Sequence, residues 1–330
     1  MSTSKTIAIV GATGNQGSSV AKTFLSTPGW HVRALTRDPS SKKAQALKDL
    51  GAELVQAELE DIDSLTKAFK DAHAIFVNTD FWIPYQNALK AGHDQHTSEK
   101  KGYDSEVQNA KNAAIAASNT PGLKKYIYSA LGPMAEASGG KYPHCHHWET
   151  KAAAVKFIER ELPELNKKTS YIYLGAYSTN PLLHPKPNKE TGEYEMVLPG
   201  PKEAIFPIIN PETSTGPFVR ALVEDEPAGT KLLAYDSRIT IGEAVDVWSK
   251  TAGKKASYVQ KTSQEIHEAT GMPLEVLDGP AFMGEYEFTA GVEGVIFPEQ
   301  LKNPPKTPSY PEFLASKDLE YLLGSEYPKW

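Results

Sequence analysis

"TIAIVGATGNQGSSVAKTFL", residues 6–25, sets three glycines, Gly11, Gly14 and Gly17, between an apolar run and a helical pattern. The run through Ala12 reads as a buried strand, and Gly17–Leu25 as a helix. A lone glycine triplet is a weak signal. One that follows a first strand and opens a helix marks a dinucleotide-binding turn. The usual fingerprint spaces its glycines by two and then three residues, whereas both gaps here are three. In such a turn Gly11 permits the tight bend, Gly14 lets backbone approach a pyrophosphate, and Gly17 lets helix and strand pack closely. Ala12, Thr13, Asn15 and Gln16 complete it, and the N–H groups at the helix start face the phosphates. The plain alternative is a tight strand-to-helix turn that binds nothing.

Downstream, short apolar runs alternate with helical patterns. "HVRALTR", "AELVQAEL", "HAIFVNT", "KKYIYSAL" and "SYIYLGAY" read as further strands. Helices are expected over residues 41–51, 61–72, 103–118 and 147–165, with a polar loop before Tyr103. The strands are nearly continuous apolar runs, as strands covered on both faces should be. The expected fold class is therefore α/β: a Rossmann, doubly wound parallel sheet. It takes in residues 1–180 and, from "GPFVRALVED" and "TKLLAYDS", residues 214–236. Residues 181–330 are expected to form a smaller mixed lobe for a substrate or partner. That lobe starts with an irregular, proline-rich stretch, and its clearest helix is "TIGEAVDVWSKTAG", capped by Thr240 with Glu243.

The chain of 330 residues carries a net charge of −6 with no long run of either sign, a poor profile for a nucleic-acid or membrane binder. Its one cysteine, Cys145, excludes an internal disulfide framework and suits a reducing compartment. The N-terminus lacks a secretory pattern, and no stretch approaches the roughly 20 apolar residues of a membrane span. These features lead us to expect a cytoplasmic monomer or homodimer without nucleic-acid or membrane partners.

The second strand ends in "TRDPSSKK". Many NAD-binding folds place an acidic residue there to hold the ribose 2′-OH. Here Arg37 comes first, and a guanidinium suits a 2′-phosphate. NADP(H) is the preferred cofactor; with Asp38 on the ribose, NAD(H) is the alternative.

These stretches, with "IFVNTDFW", "KYIYSALG" and "HHWETKAAAVKFI", resemble the NmrA-like family of atypical short-chain dehydrogenases/reductases over most of the chain. The double three-residue glycine spacing is typical of that family. The resemblance implies that Gly11 through Gly17 carry the cofactor and that Arg37 and Ser41 face a 2′-phosphate. It places Glu58 and Leu59 at the adenine, although "AEL" stands where "GD" is usual. Thr79, Asp80 and Phe81 fall beside the cofactor, and Tyr177, Ser178, Thr179 and Asn180 near the nicotinamide. A lysine that some relatives carry in the helix after the fourth strand is missing, with Val107 near its place.

Ordinary short-chain dehydrogenases pair a tyrosine with a lysine four residues on, which puts both on one helix face. In "HWETK" the lysine is present as Lys151, and His147 stands where the tyrosine would. Ser129 matches the accompanying serine. Lys151 either moves a proton or only binds ribose. His147 either exchanges a proton, as imidazole can near neutral pH, or is a packing residue. The run "HCHHW" (His144 to Trp148) invites a metal reading, but adjacent helical residues diverge, so no metal is expected. Trp82 to Tyr85 and the aromatic stretch Phe282, Met283, Tyr286 and Phe288 are candidate pocket walls or packing.

Two functions are open. One is an NADPH-dependent oxidoreductase acting on a small apolar carbonyl, enone or imine of secondary-metabolite type. The other is a redox sensor that binds NAD(P)(H) and regulates a protein partner without turnover, with a nuclear location then in view.

Overall fold

A computed structural model describes residues 4–188 and 190–324, so the outermost residues of both expected ranges lie outside it. The strands in chain order begin with β1 (Lys5–Ile9), β2 (Trp30–Thr36), β3 (Glu53–Gln56), β4 (Ala74–Val77), β5 (Lys125–Ala130), β6 (Thr169–Leu174) and β7 (Ala176–Tyr177). They continue with β8 (Lys186–Pro187), β9 (Tyr194–Leu198), β10 (Ile205–Ile209), β11 (Lys231–Ala234), β12 (Ser237–Thr240), β13 (Ala256–Gln260) and β14 (Val295–Ile296). Eight of them form one parallel sheet in the order β14-β11-β6-β5-β4-β1-β2-β3. The order reverses between β1 and β4, and at such a switch point an open α/β sheet has its ligand crevice. The fold is a Rossmann-type α/β architecture with smaller mixed sheets.

Helices cover both faces. They are α1 (Asn15–Leu25), α2 (Lys42–Asp49), α3 (Ile62–Phe69), α4 (Trp82–Lys90), α5 (Gln95–Ser118), α6 (Met134–Ala137), α7 (His146–Glu161), α8 (Pro163–Asn166) and α9 (Pro211–Glu224). Side chains alternate across a strand, and the core divides accordingly. Ile75 and Val77 of β4, Tyr126 and Tyr128 of β5, and Tyr171 and Tyr173 of β6 share one cluster with α3, α5 and α7. Ile7, Ile9, Phe76, Ile127 and Ile172 share the other with α1 and α9.

Helix α9 comes from the second half of the chain, yet it seats directly on α1. The Gly216 amide donates to Ser19 Oγ at 2.9 Å. A Cβ at Gly216 would stand 2.2 Å from Thr23 Oγ1 and 2.3 Å from the Ser19 carbonyl oxygen. β11 falls inside the expected 214–236 stretch. β14 extends the sheet beyond it.

Two differences from the sequence expectation have local causes. The supposed polar loop before Tyr103 is α4 and the first turns of α5. Asp80 Oδ1 accepts the Trp82 amide and starts α4, and the Asp94 side chain accepts the Thr97 amide and caps α5. The apolar periodicity was hidden because α5 buries polar groups, among them Glu99, Glu106 and Asn109. The proline-rich stretch after Asn180 contains β8, β9 and β10, strands of at most five residues.

The part of the chain outside the large sheet has two three-stranded sheets, β12-β10-β7 and β13-β9-β8, the first of which takes β7 from the stretch expected in the Rossmann part. The helices of the second lobe are α10 (Ile241–Ala252), α11 (Ser263–Thr270), α12 (Leu274–Met283), α13 (Tyr310–Ala315) and α14 (Leu319–Gly324). The Thr240–Glu243 capping box forms as expected. Among the described residues no helix is long and apolar enough to cross a membrane.

Candidate active site

The glycine turn lies at the end of β1. Gly11 has φ +71°, and the Gly14 amide donates to its carbonyl at 2.9 Å. A Cβ on Gly17 would stand 2.2 Å from the Gly11 carbonyl oxygen; on Gly14 the same distance would be 3.3 Å. No side chain caps the start of α1, so its first N–H groups are left for a ligand. Gln16 is buried. Its Nε2 donates to the Tyr177 hydroxyl at 2.6 Å, and its Oε1 has no partner among the described residues. An uncapped helix start and a backbone cradle that a Cβ would fill together fit a dinucleotide pyrophosphate.

Arg37 is exposed at the end of β2, and among the described residues no hydrogen bond or ion pair holds its guanidinium. Asp38 is committed elsewhere. Its Oδ1 accepts both the amide and the hydroxyl of Ser40, and these bonds hold its carboxyl below the usual range. Ser41 caps α2 by accepting the Ala44 amide. The loop thus offers a free cation and a bound carboxylate. Past β3, Glu58 is exposed, with its amide and carbonyl bonded to the Ser64 hydroxyl. The Leu59 carbonyl accepts Asn112 Nδ2.

Lys151 lies at the carboxyl end of β4. Its Nζ donates to the Thr79 carbonyl at 3.2 Å and to Asn78 Oδ1 at 3.4 Å. It also pairs with Glu106 Oε1 at 3.0 Å. Glu106 is fully buried and accepts the hydroxyls of Thr79 and Thr150. The Thr79 hydroxyl in turn meets the Tyr128 hydroxyl at 3.3 Å. The burial of Tyr128 and the Glu106 carboxylate push its phenol well up, so it stays protonated. A Cβ on Gly11 would be 3.5 Å from the Asn78 carbonyl oxygen, so Lys151 and the glycine turn share one crevice. Sequence reasoning named Val107 here and passed over its neighbour. The available signal was register: Glu106 sits on the α5 stripe of Ala110, Ala113 and Ala117.

The structure does not bring Ser129 to this group. Strand alternation puts it on the face of Ile127, toward α1 and α9, whereas Lys151 belongs to α7 on the other face.

His147 begins α7. Its Nδ1 lies 2.5 Å from Glu275 Oε1, and its ring centroid is 5.0 Å from that of Trp82 and 6.3 Å from that of Phe81. Phe81 is seated by Gly102 of α5, where a Cβ would come within 2.7 Å of its ring. Tyr85 stacks on Phe81, and Phe282 stacks on Tyr286. In the first aromatic group Phe81 and Tyr85 are buried packing residues, and only Trp82 is partly exposed, beside His147. In the second, Phe282, Met283 and Phe288 are packing residues, with Tyr286 at the surface.

Glu275 of α12 is wholly buried, and its two oxygens also accept the His146 and His147 amides. Nearby, Asp278 accepts the His144 amide. A second lobe thus caps α7, and no signal in the sequence joins these residues. It also puts carboxylates beside the histidine run: Cys145, His147 and Glu275, and separately Glu99, His146 and Glu275, lie within reach of a common ion. Both Glu275 oxygens are already engaged by amides, however, and burial with Glu275 and Asp278 nearby pushes the Cys145 thiol well up, away from the thiolate a metal needs.

Tyr177, Ser178, Thr179 and Asn180 form the turn after β7. Asn180 Oδ1 accepts the Leu182 amide, and the Ser178 carbonyl accepts His184 Nε2 at 2.9 Å. His184 Nδ1 is buried without a partner among the described residues. Burial therefore pushes this imidazole down to about 4 from its ordinary 6.5. The unfolded chain takes up the proton first, so the stabilisation is complete above pH 6.5 and is lost as pH falls toward 4. Relative to His184→Gln, the wild type is expected to lose on the order of 3 kcal/mol across that window. Urea unfolding at several pH values checks this, and a constant difference between the two proteins overturns it.

A groove of about 600 Å³ between the outward faces of α5 and α7, lined by Tyr103, Lys111, Lys156 and Phe157, shares no residue with the crevice.

The NmrA-like family profile matches residues 3–307. The NmrA-like family domain-containing oxidoreductase ptmS of Penicillium ochrochloron is 47% identical over 88 residues, 25% of this chain and only 26% of that relative's length. The NmrA-like family domain-containing oxidoreductase hkm9 of Aspergillus hancockii is 28% identical over 305 residues, 88% of this chain and 85% of the relative. Among solved structures, the negative transcriptional regulator NmrA in complex with NADP superposes with a TM-score of 0.65 at 22% identity, covering 97% of this chain and 94% of that one.

Proposed function

The chain belongs to the NmrA-like family, and from that membership we propose that it is an NADP(H)-dependent oxidoreductase that reduces a carbonyl, enone or imine of a small apolar compound. The observation that carries this reading is the Lys151 ammonium, fixed by buried Glu106 at the carboxyl end of β4 beside the glycine turn. The names of the relatives, oxidoreductases, support it.

Gly11 to Gly17 hold the pyrophosphate on the start of α1. Arg37, with Ser41, holds the 2′-phosphate, since Asp38 is tied to Ser40. Thr79 to Phe81 and Tyr177 to Asn180 edge the crevice. The bound cofactor supplies a hydride. Lys151 brings fixed positive charge to the crevice, while Trp82, backed by buried Phe81 and Tyr85, gives an apolar wall for substrate. The protons of Lys151 are largely committed to Glu106, Thr79 and Asn78, which leaves proton delivery to His147.

The test is NADPH oxidation by the purified protein with a panel of carbonyls, enones and imines, alongside dissociation constants for NADPH and NADH. We expect turnover with some apolar member and tighter binding of NADPH. Lys151→Gln is expected to lose at least about 100-fold in kcat/KM, and full turnover in that variant removes Lys151 from the mechanism. Cofactor binding without turnover, together with a protein partner whose capture differs between NADP+ and NADPH, favours the regulatory reading.

A further inference from the structure

Three features around His147 have no part in the roles assigned above. A wholly buried carboxylate, Glu275, reaches it from α12, 128 residues away in sequence. That carboxylate touches His147 twice, at its amide (2.9 Å) and at Nδ1 (2.5 Å). The other ring nitrogen, Nε2, meets no oxygen among the described residues, only the Cys145 sulfur at 3.9 Å. The ring is partly exposed and packs on Trp82 and Phe81, which directly follow the strand end that Lys151 binds.

Resting on the oxidoreductase reading, we propose that Glu275 is the positioning residue that makes His147 the proton donor: it takes the Nδ1–H and leaves Nε2 as the nitrogen that delivers a proton to the reduced substrate. A carboxylate on one imidazole nitrogen fixes the tautomer and orientation, so the other nitrogen is the one that works. In the step His147 starts as the imidazolium, with Nδ1–H on Glu275: the Nε2–H bond breaks, its electron pair stays on the ring, and the neutral Nδ1–H tautomer remains. An O–H bond forms on the carbonyl oxygen, or an N–H bond on an imine, as the substrate's π bond is reduced by the two electrons of the nicotinamide cofactor's hydride. The imidazole then regains its proton from solvent, with Nδ1–H still on Glu275. The second lobe would thus complete the chemistry as well as hold the substrate.

The experiment uses full-length protein with 15N-labelled histidine, read by long-range 15N–1H correlation at a pH where the imidazole is neutral, with steady-state kinetics on the same samples. In the wild type the His147 Nδ1 is expected to carry the proton and Nε2 to show the shift of a bare nitrogen. In Glu275→Leu, which offers Nδ1 no acceptor, the proton is expected to leave Nδ1 for Nε2. kcat should fall by about 100-fold or more while the NADPH dissociation constant stays put. Glu275→Asp, which shortens the reach but keeps the charge, should restore part of both readings. If the Leu variant does not fold, the wild-type Nδ1–H signature and a partial loss of kcat in Glu275→Asp still test the assignment.

A wild-type proton on Nε2 overturns the proposal. So does a loss of kcat with no change of tautomer, which leaves Glu275 as a helix cap alone. A wild type without any reductase turnover removes the donor role together with the oxidoreductase reading. The Nδ1–H signature distinguishes that failure from a failure of orientation, because it is read without substrate.

Discussion

Glu106→Ala is expected to destabilise the protein by about 3–5 kcal/mol, the usual result of removing one partner from a buried ion pair. Lys151 keeps only 12% of its side chain accessible, and Glu106 keeps none. Without the carboxylate, the ammonium retains only neutral acceptors, Asn78 Oδ1 and Thr79. The Thr79 hydroxyl loses its carboxylate acceptor as well, while Thr150 falls back on the His147 carbonyl at 3.2 Å. Chemical denaturation with an unchanged m-value measures the loss. The double variant Glu106→Leu with Lys151→Met removes both charges together. It should recover most of the stability, since replacing a whole buried pair by apolar groups is often neutral. If Glu106→Ala unfolds like the wild type, the pair is not closed in solution as described.

Gly17→Ala is expected to lower NADPH affinity by at least about 100-fold, because every near neighbour of the added Cβ is backbone. It would lie 2.2 Å from the Gly11 carbonyl oxygen, 2.6 Å from the Gly11 carbonyl carbon and 2.8 Å from Ala12 Cα. No rotamer change relieves such contacts, so α1 must move away from the turn that presents its N–H groups. Overpacking of this kind costs about 1–3 kcal/mol in stability. Gly14→Ala, at 3.3 Å from the same oxygen, should be milder on both measures. Titration of nucleotide binding by calorimetry separates the two. If Gly17→Ala binds NADPH like the wild type, the pyrophosphate does not sit on this turn.

What the sequence made legible was local. Gly11, Gly14 and Gly17 announced their turn because a positive φ at the first and close backbone approach at the other two are demands on the residue itself. The β4 and β6 runs announced a sheet covered on both faces, since every residue in them is buried. The capping box on α10 could be read from two letters. What escaped depends on which distant chain segment arrives. Helical register could place Glu106 on the buried stripe of α5 but not name its partners. Its role exists only because Thr79 arrives from the loop after β4, and Thr150 and Lys151 from α7. Glu275 caps α7 across more than a hundred residues, and nothing near either residue marks the match. Ser129 erred in the opposite direction: the motif aligned, but strand parity turned the side chain away.

The seating of α9 on α1 has a consequence for how the protein is made. The apolar face of α1, with Val20, Ala21 and Phe24, is covered by a helix encoded about 200 residues later. At typical synthesis rates of ~5–20 residues per second, that face waits roughly 10–40 s on the ribosome for its partner. The helix that the glycine turn opens gains its cover only after about 200 further residues have been joined. A nascent chain stalled before Pro211 would therefore offer chaperones, or other nascent chains, the very surface on which the finished molecule rests.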